Sequence, residues 1–175
     1  MSFSLNSNKE LNRILPPVSA EESFSFGIIV SDWNPAITHA LLEGCTNTLS
    51  ASGILAENIQ TIHVPGAFEL PIGARLLAQR FPNYDAFICL GCVIKGETRH
   101  DEYINTSVAI ALQNMSVSSG KPFIFGVLTT ENEEQAMDRA GGKLGNKGIQ
   151  CAETALKMAA LKKELHDSGK KKIGF

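Results

Sequence analysis

The stretch from Gly91 to Tyr103, which reads GCVIKGETRHDEY, holds residue types that suit phosphate chemistry. An apolar run ends at Ile94, and a helical pattern begins at Asp101. Unpaired backbone N–H groups and the helix dipole favour an anion at such a helix start. Thr98 and His100 lie in this turn, so the sequence predicts a phosphate site beside an acid–base group. An ordinary strand-to-helix turn, with Thr98 as the cap and His100 on the surface, explains the same residues.

The remaining candidates for binding chemistry follow other predicted strands. Trp33 offers a flat ring that would stack on a heterocycle, and backbone groups near Ala67 and Cys92 would supply hydrogen bonds to the edge of that heterocycle. Glu69 could accept from hydroxyls or a ring N–H, although a carboxylate in the first turn of a helix is also common for structural reasons. Arg139 could bind a phosphate through two parallel hydrogen bonds.

The other histidines fit a structural or solvated role better than a chemical one. His39 falls within a predicted helix, His63 within a predicted strand and His166 at the end of a helix. The four cysteines include a Cys-x-x-Cys at Cys89 and Cys92, which is a spacing used for metals and redox disulfides. Side chains alternate between the two faces of a strand, so an offset of three sends these sulfurs to opposite sides. We therefore expect buried, apolar cysteines and no metal site.

Four apolar segments have the length and composition of strands, and amphipathic segments separate them. The predicted strands are Phe24–Ser31, Ile59–Val64, Ala86–Ile94 and Pro122–Leu128. The predicted helices run from Pro35 to about Ser52, from near Phe68, from Asp101 to before Gly120, from after Thr130 to about Ala140, and from Ile149 to about Leu165. This alternation predicts an α/β fold: a three-layer α/β/α sandwich with a four-stranded parallel sheet, flavodoxin-like.

Local signals mark where these elements begin and end. Asn34 before Pro35 is typical of an N-cap, and Thr130 with Glu133 has the spacing of a capping box. The segment from Gly141 to Gly148 is a basic, glycine-rich break that lacks the spacing of a Walker A loop. In parallel sheets ligands bind beyond the carboxyl ends of the strands. That rule brings the stacking, carboxylate and phosphate candidates to one edge of the sheet.

Length and charge limit the classes of protein that this chain could be. The 175 residues are 43% hydrophobic and 19% charged, which suits one domain with a real core, residues 24–167. Residues 1–23 would form an arm and residues 168–175 a solvated basic tail. A net charge of −2 gives no field for nucleic acid, and no apolar run approaches the roughly 18 to 20 residues of a membrane span. Without an apolar leader, we expect a cytoplasmic protein with no nucleic-acid or membrane partner.

Four segments together resemble the 6,7-dimethyl-8-ribityllumazine synthase family of riboflavin biosynthesis. They are VPGAFELP from Val64, LGCVIKGETRHDEY from Leu90, FGVLTTEN from Phe125 and RAGGKLGNKG from Arg139. The resemblance covers roughly residues 26–161, with the motifs in the same order. It implies a transferase that condenses 5-amino-6-(D-ribitylamino)uracil with 3,4-dihydroxy-2-butanone 4-phosphate and releases phosphate and water.

The resemblance also assigns roles to individual residues. It implies that the pyrimidine and its ribityl chain contact Trp33, Ala67, Phe68, Glu69, Cys92, Val93, Ile94 and Phe125. The phosphate substrate would contact Glu97, through its N–H, Thr98 and Arg139, and His100 would transfer protons. Phe125 and Arg139 would come from the neighbouring subunit, and Lys147 matches a basic residue near the phosphate. The family more often has phenylalanine at the position of Trp33, and many members have threonine at that of Cys92.

Partners and assembly follow from the same resemblance. It implies no metal or organic cofactor and a homo-oligomer, either a pentamer or a 60-subunit icosahedral shell, with active sites at subunit contacts. The arm would pair with a neighbour's sheet edge, and riboflavin synthase would be a further protein partner. Two alternatives would not catalyse the reaction. One is a paralogue that binds a flavin or lumazine or only forms a shell, and the other is a flavodoxin-like FMN carrier. The carrier would need a hydroxyl-rich loop after the first strand, where this chain has Asp32-Trp33-Asn34-Pro35.

Overall fold

A computed structural model describes residues 24–170 of the chain. The predicted arm, residues 1–23, and residues 171–175 of the predicted tail lie outside this described part. Within it, four parallel strands form one sheet in the order β2-β1-β3-β4. They are β1 (Phe26–Ser31), β2 (Ile59–Val64), β3 (Ala86–Ile94) and β4 (Phe123–Thr130). The bounds of β2 and β3 are those predicted, whereas β1 begins later than Phe24 and β4 runs past Leu128.

Helices connect the strands and cover both faces of the sheet. They are α1 (Pro35–Ala51), α2 (Leu70–Arg80), α3 (His100–Ser119), α4 (Glu133–Arg139) and α5 (Lys147–Lys170). Short 3₁₀ turns at Ala56–Asn58 and Ala67–Glu69 precede β2 and α2. The predicted three-layer, flavodoxin-like α/β fold is therefore confirmed. The last helix begins earlier and ends later than predicted. None of the helices between residues 24 and 170 has the length and apolarity needed to cross a membrane.

Alternation along the two central strands builds a separate core on each face. Ile28 and Ile88 pack with α1 and α5, whereas Ile29 and Phe87 pack with α2 and α3. All eight residues from Ala86 to Val93 are buried, as expected for a strand covered on both faces. The sheet is therefore a rigid platform that holds the turns at its carboxyl edge.

The cysteines take the positions that strand alternation predicts. Cys89 belongs to the core under α2 and α3, and Cys92 belongs to the core under α1 and α5. All four cysteines are free and buried. The prediction of buried, apolar cysteines is confirmed, and the Cys-x-x-Cys spacing carries no disulfide.

The capping residue predicted for α4 was wrong. Asn132, not Thr130, is the N-cap, and its side-chain oxygen accepts from the backbone N–H of Gln135 at 2.9 Å. The Gln135 side chain accepts in turn from the N–H of Glu131 at 3.1 Å. Thr130 instead donates to the carbonyl of Asn132 at 3.0 Å. Both threonine and asparagine are good N-caps. Because strand β4 extends through Thr130, the helix can begin only after it, and Asn132 is the next suitable cap.

The glycine-rich break after α4 is more ordered than its sequence suggested. Ala140–Gly142 and Gly145–Asn146 pair as a short antiparallel hairpin, β5 and β6. Asn146 joins this hairpin to two helices. Its amide donates to the carbonyls of Ala40 at 2.8 Å and Ala140 at 3.2 Å, and its side-chain oxygen accepts from the N–H of Gly148 at 2.7 Å. One side chain thus fixes the start of α5 against α1.

Candidate active site

A cleft of about 680 Å³ opens at the carboxyl edge of the sheet, where β1, β2 and β3 end and α3 begins. Its lining includes the aromatic, carboxylate and phosphate-turn candidates from three separate stretches of sequence, residues 33–34, 66–69 and 92–104. The lining residues are Trp33, Asn34, Gly66, Ala67, Phe68, Glu69, Cys92, Val93, Ile94, Gly96, Thr98, His100, Asp101, Tyr103 and Ile104. The volume lies within the range of small-molecule sites, and the position is the one that parallel sheets favour.

Trp33 stands at the mouth of this cleft on a turn that Asn34 holds in place. The indole is 72% exposed, so it presents a free face for stacking. Asn34 adopts the left-handed conformation, with φ of 60°, which asparagine tolerates better than most residues. Its amide donates to the carbonyl of Cys92 at 3.2 Å, so the turn after β1 is tied to the end of β3. Asn34 is the N-cap residue of α1, as predicted, but its side chain makes no capping hydrogen bond to the helix. Its side chain instead positions the turn that carries the neighbouring tryptophan.

The segment after β2 contributes the carboxylate side of the cleft. Ala67–Glu69 form a 3₁₀ turn, and the N–H of Glu69 donates to the carbonyl of Gly66 at 3.2 Å. A methyl group on Gly66 would lie only 3.0 Å from an oxygen of the Glu69 carboxylate. The carboxylate is therefore folded over Gly66 and faces the cleft, close to the exposed ring of Phe68.

The predicted phosphate turn lies at the opposite wall, at the start of α3. His100 is the first residue of that helix, and its backbone N–H donates to the Thr98 hydroxyl at 3.4 Å. Gly96, Thr98 and His100 are exposed and line the cleft. This arrangement brings the unpaired N–H groups of a helix start, a hydroxyl and an imidazole to one place, which suits an anion beside a proton carrier.

The basic neighbours of the phosphate turn, Lys95 and Arg99, are already paired with acids. The Arg99 guanidinium hydrogen-bonds the Glu102 carboxylate through two nitrogens, at 2.7 and 3.0 Å. The Lys95 ammonium lies 2.7 Å from a carboxylate oxygen of Glu131, and the hydrogen bond and charge of that acid raise the pKa of Lys95. Both pairs are solvent-exposed and individually weak. Because these two cations face acids, the N–H groups at the start of α3 are the main anion-binding feature of this wall.

Three predicted site residues lie apart from the cleft within one chain. The Glu97 side chain is exposed and does not line it, although its neighbours on both sides do. Phe125 lies on β4, the edge strand farthest from β2, and Arg139 is the last residue of α4. Lys147, at the start of α5, reaches toward Gln150 at 3.4 Å. A single chain therefore brings together the pyrimidine candidates and the phosphate turn, but not the ring of Phe125 or the guanidinium of Arg139.

Several lining residues are absent from the set that the sequence predicted. Asn34, Gly66, Asp101, Tyr103 and Ile104 all contribute to the cleft wall. Tyr103 follows His100 by three positions, and that spacing puts both on one face of α3, so helical periodicity could have found it. Gly66 and Asn34 carry no such signal. The Glu69 carboxylate folds over Gly66 and Asn34 has a positive φ, and helical periodicity reveals neither feature.

Cys92 is expected to react slowly with alkylating reagents although it lines the cleft. Burial, with a smaller contribution from the Glu133 carboxylate, raises the pKa of its thiol to about 11. A rise of two units above the ordinary 9.0 lowers the thiolate fraction near neutral pH by about 100-fold. The rate of iodoacetamide labelling at Cys92, followed by mass spectrometry, should therefore keep rising up to about pH 11.

The denatured chain provides the reference for this experiment, because its thiols have ordinary pKa values. Its labelling rate should level off near pH 9, the unperturbed value. A folded protein whose Cys92 labels at the denatured rate at pH 8 would contradict the burial argument. The result decides whether Cys92 could act as a nucleophile, and we expect that it does not.

Comparisons with known proteins agree with the geometry. Residues 23–163 match the sequence profile of the family described as 6,7-dimethyl-8-ribityllumazine synthase. A protein of that name from Cytophaga hutchinsonii is 49% identical over 155 residues, which cover 89% of this chain and 97% of the relative. Its namesake from Bacteroides fragilis is 49% identical over 133 residues, covering 76% and 92%. Another from Parabacteroides distasonis is 47% identical over 134 residues, covering 77% and 83%.

Proposed function

Because this chain belongs to the 6,7-dimethyl-8-ribityllumazine synthase family, we propose that its cleft is where the two substrates of that reaction meet. The chain is an enzyme, a transferase of riboflavin biosynthesis. It condenses 5-amino-6-(D-ribitylamino)uracil with 3,4-dihydroxy-2-butanone 4-phosphate to 6,7-dimethyl-8-ribityllumazine, with release of phosphate and water. The observation that carries the assignment of the site is that two of the four family motifs, from Val64 and from Leu90, meet with Trp33 in one cleft.

The pyrimidine occupies the wall formed by the ends of β1, β2 and β3. Its ring stacks on Trp33, and its edge bonds the backbone near Val93 and Ile94. Glu69 accepts from the ribityl hydroxyls, with Ala67 and Phe68 beside them. The support is that all these residues line one cleft, which is large enough for the heterocycle and its sugar chain. The Cys92 carbonyl already accepts from Asn34, so its capacity to bind substrate is partly used.

The phosphate substrate occupies the opposite wall, at the start of α3. Its phosphate accepts from the backbone N–H groups of the Gly96-to-Thr98 turn, including that of Glu97, and from the Thr98 hydroxyl. The amine of the pyrimidine attacks the ketone and loses one water to give an imine, phosphate leaves by elimination, and the ribityl-bearing nitrogen then attacks the remaining carbonyl and closes the ring with loss of a second water. His100, beside the phosphate turn, carries protons between these steps.

The site becomes complete only when chains assemble. The family implies homo-oligomers, and we propose a pentamer or a 60-subunit shell in which a neighbour supplies Phe125 and Arg139. Exposed apolar side chains on α2, α3 and α5 support this arrangement, because a contact with a neighbouring chain would remove them from water. They are Ile72, Leu76, Ile110, Val117, Ile149, Met158 and Leu161. The sheet-pairing role of residues 1–23, the contact with riboflavin synthase and the cytoplasmic location predicted from the sequence belong to the same proposal.

Replacing His100 with alanine is expected to slow turnover by only about 10-fold to 100-fold, at or below the low end of the roughly 100-fold to 10,000-fold that one proton-transfer group contributes. Much of the rate comes from holding two reactive partners together, and that part does not need the imidazole. Steady-state kinetics would show a lower kcat and a nearly unchanged KM for both substrates. His166→Ala, at an exposed site on α5, serves as the control and should leave both constants unchanged.

The function itself is tested by mixing the purified protein with both substrates and following the absorption and fluorescence of the lumazine. An active enzyme forms product only when both substrates are present. A non-catalytic paralogue would instead bind the finished lumazine and form none. Absence of product from a correctly assembled protein would overturn the assignment in favour of that alternative.

A further inference from the structure

Three exposed side chains outside the cleft form a compact set of metal-binding groups. Asp32 follows β1, His39 lies on α1 and His63 lies on β2. One ligand atom from each residue lies within 4.8 Å of the other two. Nothing in the reaction described above uses these side chains. From this geometry we propose that Asp32, His39 and His63 form a surface site for Zn²⁺ or a similar transition-metal ion.

The donor set decides which class of ion would bind. Two imidazoles and one carboxylate favour Zn²⁺, Co²⁺ and Ni²⁺, whereas Mg²⁺ and Ca²⁺ prefer oxygen ligands alone. Three protein ligands leave the fourth tetrahedral position to water. Tetrahedral ligands around Zn²⁺ are about 3.4 Å apart, so small side-chain rotations would close the present set around an ion. All three side chains are exposed, and the rotations would exchange the hydrogen bond between His63 and Asp32 for bonds to the ion.

The backbone already holds Asp32 and His63 side by side, and a ring contact places His39 next to His63. The N–H of Asp32 donates to the carbonyl of Val64 at 2.9 Å, and Val30 pairs with His63 across the parallel ladder. The Nδ1 atom of His63 lies 2.7 Å from a carboxylate oxygen of Asp32, and the rings of His39 and His63 are 6.2 Å apart in an edge-to-face arrangement. An ion bound at Nδ1 of His63 would take the place of the proton in the hydrogen bond to Asp32. Binding should therefore weaken at low pH, where protons compete for the imidazoles.

The site lies next to a natural reporter of its occupancy. Trp33 is the only tryptophan of the chain and directly follows Asp32. An ion held by Asp32 would fix the turn that carries the indole, and a paramagnetic ion would quench the fluorescence of that indole. Metal binding can thus be read without substrates. Its outcome is independent of the proposed reaction, and a negative result would leave that reaction unaffected.

The test titrates the EDTA-treated, full-length protein with Zn²⁺ by calorimetry and with Ni²⁺ by tryptophan fluorescence. We expect one Zn²⁺ per chain and saturable quenching by Ni²⁺. His63→Gln, His39→Gln and Asp32→Asn should each weaken Zn²⁺ binding at least 10-fold. Loss of a residue that only hydrogen-bonds a metal ligand typically weakens metal binding by about 10-fold to 100-fold, and loss of a direct ligand should cost no less.

A second histidine–aspartate pair provides the matched control. His166 and Asp167 lie 3.5 Å apart on α5 and are exposed, as the proposed ligands are. His166→Gln should bind Zn²⁺ and quench with Ni²⁺ as the unsubstituted protein does. The proposal is overturned if the unsubstituted protein shows no saturable binding, or if His63→Gln and His39→Gln titrate like His166→Gln. Circular dichroism of each variant would confirm that its fold is intact.

Discussion

Replacing Arg139 with alanine is expected to raise the KM for dihydroxybutanone phosphate by about 100-fold to 10,000-fold. A guanidinium can bind a phosphate through two charge-assisted hydrogen bonds, and each such bond contributes roughly 1.5 to 3 kcal/mol. Every 1.4 kcal/mol corresponds to about a factor of ten in affinity. The KM for the pyrimidine should change little, because its proposed contacts lie on other elements. Steady-state kinetics with each substrate varied in turn would measure both constants.

Two further variants separate the geometry of Arg139 from its charge. Arg139→Lys keeps the charge but loses the planar fork, so it should recover only part of the affinity for the phosphate substrate. Arg75→Ala removes an exposed arginine from α2 and should leave both KM values unchanged. An Arg139→Ala enzyme with an unchanged KM for the phosphate substrate would contradict the proposed role.

Mixed assemblies would show whether Arg139 acts across a subunit contact. Arg139→Ala chains keep an intact cleft, and Trp33→Ala/Glu69→Ala chains keep an intact arginine. If one chain's arginine serves its neighbour's cleft, random co-assembly in equal amounts restores about a quarter of the sites. If the arginine serves its own cleft, every site in the mixture retains a defect. Activity equal to the sum of the two separate variants would therefore exclude an intersubunit role.

The sheet and its ligand-binding edge could be predicted because they depend on short-range patterns. The apolar run from Ala86 to Val93 is long enough for a strand and is buried throughout. Its end at Lys95-Gly96 places the following turn at the carboxyl edge, and the cleft is found there. Alternation within this run also predicted that Cys89 and Cys92 face different cores, which is confirmed.

Features that depend on contacts between distant segments could not be predicted in the same way. Asn34 is a residue type that favours the N-cap position. Its side-chain amide, however, donates to the carbonyl of Cys92, far along the chain. His39 and His63 looked separate because helix and strand assignments do not show that both lie close to Asp32. The contribution of a neighbouring chain is a further contact of this kind. For that reason the roles of Phe125 and Arg139 come from resemblance and not from local pattern.

Gly148 is an example of a motif residue whose importance is clear only from packing. It lies in the GNKG segment at the start of α5 and is buried. A methyl group there would overlap the carbonyl oxygen of Leu41 on α1 and would lie 2.7 Å from its carbonyl carbon. These neighbours are backbone atoms of a packed helix, so they cannot move aside as a flexible side chain would. The requirement for glycine is thus steric, imposed by a close helix–helix approach.

We therefore expect Gly148→Ala to lower the free energy of unfolding by about 3 kcal/mol, the upper end for overpacking a core. The change also threatens the hydrogen bond between the Gly148 N–H and Asn146, because α5 must shift away from α1. Alanine's higher helix propensity, at most about 1 kcal/mol, opposes the effect without cancelling it. Urea unfolding at one fixed protein concentration would measure the loss, since assembly makes stability concentration-dependent. Thr154→Ala, on the exposed side of the same helix, should stay within about 0.5 kcal/mol of the unsubstituted protein, and a Gly148→Ala variant of equal stability would disprove the close approach.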